Sequence, residues 1–224
     1  MVLIALDHLS HVRLCTQLLV QRGYTVLQVD VRGSTGNGRM FREEFVSDAG
    51  GRDLEDLLSA AAYARTLPSV ASGRVGVWGS SYGGLITLMA LFKHPGVFQA
   101  GVAAAPAVLA SFYGPDDTAV VRRPASARGE PDANYEKNSP LTFSAGLADP
   151  LLLIHGMQDD VVPFKTTMML IEKLMEEGKN CFELATTAAA THNWAAVPHV
   201  AEYLYGRALI HFDRHLLGVA IPKL

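Results

Sequence analysis

Two features of the sequence predict an α/β fold built on a mostly parallel sheet of about six strands with helices on both faces. Apolar runs of strand length alternate with stretches of helical period, the pattern of parallel strands joined by crossover helices. The run Leu151-Leu-Leu-Ile154 is also apolar without alternation. Such a strand is covered on both faces, whereas one with a wet face would alternate with polar residues.

Taken in order, the first strand is expected at residues 2–6. This apolar start meets Asp7 and His8 at once and has no basic residues before it, so it reads as a buried strand and no signal peptide is expected. A helix over 10–21 leads to a strand at 24–29, and a helix over 52–65 to a strand at 74–78. A helix over 82–93 precedes the strand at 99–104. Strands at 151–155 and 181–185 alternate with helices over 164–177 and 195–217. One long irregular stretch, residues 107–149, is rich in Pro, Gly, Asp and Arg. Lying where a strand ends at its carboxyl edge, it is a candidate lid; the plainer reading is a solvated insertion with one or two short helices.

The composition narrows the function classes. With 224 residues, 49% of them hydrophobic and 18% charged, the chain fits a single globular domain over residues 1–224. Nineteen basic residues are spread along the chain against 22 acidic ones, for a net charge of -3, so no basic stripe exists to neutralise nucleic acid. Cys15 and Cys181 each sit in an apolar run, which favours buried free thiols and a reducing compartment. No Cys/His spacing calls for a metal, and no run reaches the ~18 apolar residues of a membrane span. The expectation is a cytoplasmic protein without cofactor or metal.

The chemistry centres on Gly79-Ser80-Ser81-Tyr82-Gly83, which follows a strand and opens a helix. That is the context a G-x-S-x-G nucleophile turn requires, with glycines at the flanking positions because side chains there would clash. Ser81 is the expected nucleophile and the Tyr82 amide an oxyanion donor at the helix start. Ser80 falls at a flanking position and reads as structural. A serine needs a base, and the base an acid to hold its tautomer. The loop after the strand at 151–155, Gly156-Met-Gln-Asp-Asp-Val-Val-Pro163, offers Asp159 as the acid, with Asp160 assigned to loop or cap bonding. Of eight histidines, His192 lies on the loop after the last strand and is the expected base; His199 is the reserve, and His155 reads as a buried, satisfied histidine of its strand.

These residues resemble the catalytic α/β-hydrolase domain of the prolyl oligopeptidase family of serine peptidases, which includes dipeptidyl and acylaminoacyl peptidases. The resemblance rests on Arg22-Gly-Tyr-Thr-Val-Leu-Gln-Val-Asp-Val-Arg-Gly-Ser34, on Trp78-Gly-Ser-Ser-Tyr-Gly-Gly84 and on His155-Gly-Met-Gln-Asp-Asp-Val-Val-Pro163. It implies a Ser81, Asp159, His192 triad acting on a short peptide or small acyl substrate, with Phe112 and Tyr113 as pocket aromatics; the plainer reading of those two is a packed aromatic pair under a loop. The sequence departs from the family in three respects. Leu6-Asp-His-Leu-Ser10 stands where a His-Gly-Gly-Pro-like loop would supply the second oxyanion donor. The usual first hairpin is missing, so the strand at 24–29 is expected at a sheet edge open to pairing with a second copy. No β-propeller sequence is present. A carboxylesterase on the same triad, or a catalytically impaired binding module, are the other readings.

Overall fold

In the computed structural model, residues 2–6, 12–43, 48–68, 70, 73–109 and 136–218 are described. All six expected strands form: β1 (Val2–Leu6), β2 (Thr25–Gln28), β3 (Val75–Ser80), β4 (Ala100–Ala104), β5 (Leu151–Gly156) and β6 (Phe182–Thr187). They make one sheet in the order β2-β1-β3-β4-β5-β6, parallel at every pairing. β3 runs to Ser80, two residues beyond its expected end, which carries the strand up to Ser81.

Alternate residues of the inner strands enter two separate cores, as the pleat requires. Val2, Ile4, Val75, Val77, Leu151 and Leu153 pack on one face, and Leu3, Trp78, Leu152 and Ile154 on the other. The first face is covered by α3 (Arg52–Ala64), α4 (Tyr82–Lys93) and α5 (Phe164–Glu176). The second is covered by α1 (Val12–Gln21) and α6 (Pro198–Phe212). A short α2 spans Arg39–Glu43. Helix spacing explains the docking: α3 buries Leu54, Leu57, Ala61 and Ala64, and α5 buries Thr167, Leu170, Ile171 and Leu174, each a stripe at three- and four-residue intervals. α4 has no such stripe, because its residues Gly84 to Phe92 are all buried. It lies between the sheet, α3 and a 3₁₀ helix at Pro140–Gly146.

That 3₁₀ helix changes the reading of the irregular stretch. Its Ser144 and the following Leu147 are buried, so this part is scaffold packed behind α4 and not a cover over the sheet edge. Residues 110–135, with Phe112 and Tyr113, and the segment 7–11 lie outside the described residues. The single last helix expected over 195–217 is divided into a 3₁₀ turn (Trp194–Ala196), α6 and a π turn (Asp213–Leu217). Pro198 sets the break, since proline is suited to a helix's first turn and not to its interior. Cys181 is free but only half-buried, because it leads into the edge strand β6 rather than an inner one.

Leu153, fully buried on the inner strand β5, tests this two-faced core. Leu153→Ala is expected to cost about 2–5 kcal/mol of stability, read from the urea midpoint at unchanged slope.

Candidate active site

The parallel sheet brings the ends of β3, β5 and β6 to one edge, and the three residues singled out by sequence follow those strands. Ser81 lies between β3 and α4 with φ 56° and ψ -116°, a backbone conformation that L-residues rarely adopt. Its amide donates to the Ala104 carbonyl at 2.8 Å and its carbonyl accepts from Leu85 at 3.1 Å, which holds the strained turn from both sides. Gly79 has no alternative at its position, because a Cβ there would strike the backbone carbonyl of Gly83.

Asp159 and His192 are joined to this turn by a continuous line of hydrogen bonds. The His192 Nε2 is 3.1 Å from Ser81 Oγ, and its Nδ1 is 2.7 Å from Asp159 Oδ2. An ionised carboxylate only accepts, so Nδ1 carries the proton and Nε2 is left to accept from the serine hydroxyl. The loops bearing the two side chains are stitched together: the Met157 amide donates to the Thr187 carbonyl at 3.1 Å and that of Gln158 to Ala190 at 3.0 Å. Gly156 permits this approach, since a Cβ would collide with the Ala190 carbonyl.

The Asp159 carboxylate has a full set of donors. Its Oδ1 accepts from the amides of Val161 at 2.9 Å and Val162 at 2.7 Å. Its Oδ2 accepts from His192 and also lies 3.1 Å from His155 Nε2. Burial by itself would raise this acid, but the hydrogen bonds from His155, His192, Val162 and Val161 outweigh it and hold the carboxyl well below its usual range. Asp160, the other carboxylate of the pair, is exposed. Among the remaining histidines His199 is exposed on α6 and His211 is buried there.

Tyr82 opens α4, so its amide stands at the positive end of that helix. Its ring hydroxyl donates to Asp53 Oδ2 on α3 at 2.5 Å. The sequence reading passed over Asp53, although a signal was there: it lies four residues before Leu57 on the apolar stripe of α3. Burial pushes this carboxyl up to about 6, against the lowering effect of the bonds from Tyr82 and from the Leu54 and Gly50 amides. An apolar cleft lined by Ala107, Val108, Leu109, Val161, Val162 and Pro163 runs between the end of β4 and the Asp159 loop. Among the described residues no group of three or more His, Cys, Asp or Glu could hold a metal ion, and no helix is long and apolar enough to cross a membrane.

Residues 10–218 match the sequence pattern of the prolyl oligopeptidase family. The chain belongs to that family. It is 32% identical over 213 residues to dipeptidyl peptidase 8 of Mus musculus, covering 92% of this chain and 23% of that protein. Dipeptidyl peptidase 4 of Porphyromonas gingivalis superposes with a TM-score of 0.84 at 28% identity, over 96% of this chain and 31% of the other. An acylaminoacyl peptidase of Pyrococcus horikoshii superposes with a TM-score of 0.84 over 100% of this chain and 38% of its own; at 22% identity it shows the shared α/β-hydrolase fold. The chain thus spans between 23% and 38% of the length of these three proteins.

The two buried carboxylates have opposite pH signatures. Asp159 is depressed, so its stabilisation is present above about pH 4, the unfolded carboxylate value, and is lost as pH falls. Asp53 is raised from 3.8 to about 6, so its contribution is full below about pH 4 and is lost as pH rises through 6. Relative to wild type, Asp53→Asn is therefore expected to gain stability between pH 4 and 7. A shift of about two units at about 1.4 kcal/mol each bounds the gain at about 3 kcal/mol. Urea unfolding at the two pH values measures it; a constant difference would contradict the assignment.

Proposed function

We propose that this chain is the catalytic unit of a serine peptidase in which Ser81 is the nucleophile, His192 the base and Asp159 the orienting acid. The observation that carries the reading is the placement of His192, with one ring nitrogen on the Ser81 hydroxyl and the other on the Asp159 carboxylate. As Ser81 Oγ attacks the substrate carbonyl, its proton passes to His192 Nε2, and Asp159 stabilises the imidazolium that forms. The Tyr82 amide, at the start of α4, is suited to donate to the tetrahedral oxyanion. His192 then protonates the leaving amine, and water attacks the acyl-enzyme by the same proton route in reverse, regenerating Ser81.

The substrate is a short peptide or small acyl compound. The apolar cleft between residues 107–109 and 161–163 supports a small apolar group next to the scissile bond. The names of the relatives, dipeptidyl and acylaminoacyl peptidases, favour an amide over an ester. The cytoplasm suits the free, half-buried Cys181. β2 is an edge strand, and a second copy is the partner proposed for it. Light scattering tests that pairing: twice the 24.1 kDa chain mass is expected, and a monomer would exclude it.

Ser81→Ala is expected to abolish labelling by a fluorophosphonate and to lower kcat by on the order of 10⁴-fold or more. Labelling that survives the substitution would overturn the assignment. A comparison of aminoacyl amides with p-nitrophenyl esters of the same acyl group tests the substrate class. Cleavage confined to the esters would make the chain a carboxylesterase, and an unlabelled wild-type protein would make it a binding module.

A further inference from the structure

We propose that His155 is a positioning residue for the active-site acid: its Nε2–H donates to Asp159 Oδ2, the same oxygen that orients His192, and so governs how strongly that oxygen holds the base. The inference rests on the triad reading of Ser81, Asp159 and His192.

The tautomer of His155 follows from its neighbours. Its Nε2 lies 3.1 Å from Asp159 Oδ2 and 3.0 Å from the Val162 carbonyl. Both partners only accept, so Nε2 carries a proton shared between them. The other nitrogen, Nδ1, is 2.8 Å from Thr167 Oγ1, a hydroxyl able to donate to it. A neutral ring with its proton on Nε2 thereby satisfies every polar atom it has. Both side chains of the His155–Asp159 contact are fully buried, so water does not compete for it. Phe164 meets the imidazole edge-on at 5.5 Å between centroids, and Thr186 Oγ1 donates to the His155 carbonyl at 2.5 Å. The ring is thus fixed by β5, α5, β6 and the acid loop together.

Two imidazole N–H groups on one carboxylate oxygen divide its charge between them. The pair of amides on Oδ1 prevents the carboxylate from turning to offer His192 an unshared oxygen. Asp159 therefore holds the charged form of His192 less tightly than an oxygen with a single partner would. A residue that merely filled space in β5 would alter stability and leave this proton untouched. Among the described residues, the titratable groups hydrogen-bonded to Asp159 are these two histidines. Of the charged groups on the elements packed around them, Asp160 and Lys165 are exposed, and Glu183 of β6 is engaged by Arg207 and Arg214.

The test compares His155→Met, which keeps the length but has no donor, with His155→Gln, whose amide N–H can reach Asp159. One readout is the low-field proton NMR signal of His192 Nδ1–H, assigned by its loss in His192→Gln. The other is the pH dependence of fluorophosphonate labelling of Ser81. In His155→Met the signal is expected to move downfield and the labelling midpoint to rise by about half a pH unit, about three-fold in proton affinity. His155→Gln is expected to return both toward wild type. A folded His155→Met with both readouts unmoved overturns the proposal. If His155→Met does not fold, Thr167→Val removes the hydroxyl that anchors Nδ1; a smaller shift in the same direction supports the proposal, and none overturns it. Should wild-type Ser81 prove unlabelled, the triad reading fails, and the NMR signal still decides the His155 contact.

Discussion

Asp159 is the point on which the rest of the site turns. Its carboxylate is buried and accepts from two backbone amides and lies within hydrogen-bond reach of two imidazoles. Burying such a charge is costly unless every lone pair is met. The donors come from separate parts of the chain: the strand β5, the loop just beyond it and the connection that follows β6. Their convergence requires the parallel β5–β6 register, in which Gly156 pairs with Thr187 and the two following loops leave the sheet side by side.

A second constraint acts at Ser81. The turn from β3 into α4 forces a positive φ, and that strain persists because the surroundings leave no room to relax. The absent Cβ of Gly79 allows the Gly83 carbonyl to approach, and the Ala104 carbonyl fixes the Ser81 amide. Helix α4, buried from Gly84 to Phe92, anchors the turn from behind, with the 3₁₀ helix at Pro140–Gly146 packed against it. The Tyr82–Asp53 hydrogen bond ties the start of the same helix to α3. The oxyanion-donating peptide proposed at Tyr82 therefore sits in a segment held by two neighbouring elements.

Much of this was legible in the chain because it depends on short-range pattern. The continuous apolar run at β5 marked a strand buried on both faces, and the glycines around Ser81 marked the sharp turn. The place of His192 after the last strand separated it from His199, which the helix leaves exposed. Asp53 was hidden because a helix period shows which face a residue occupies but not what meets it there. The 3₁₀ helix behind α4 was hidden for a related reason: its Pro- and Ser-containing segment reads as loop, and burial against α4 decides its role.

By itself, the sequence determined the order of strands and helices along the chain, the sharp serine turn, and the placement of Asp159 and His192 on the loops that follow β5 and β6. Periodicity and turn chemistry are local, so they survive in one dimension. Only the tertiary structure decided that His155 shares Asp159 Oδ2 with His192 and that Asp53 receives the Tyr82 hydroxyl. Those contacts depend on where side chains of different elements point once the sheet closes. Hydrogen-bond direction and burial are properties of that packing and are not carried by residue spacing.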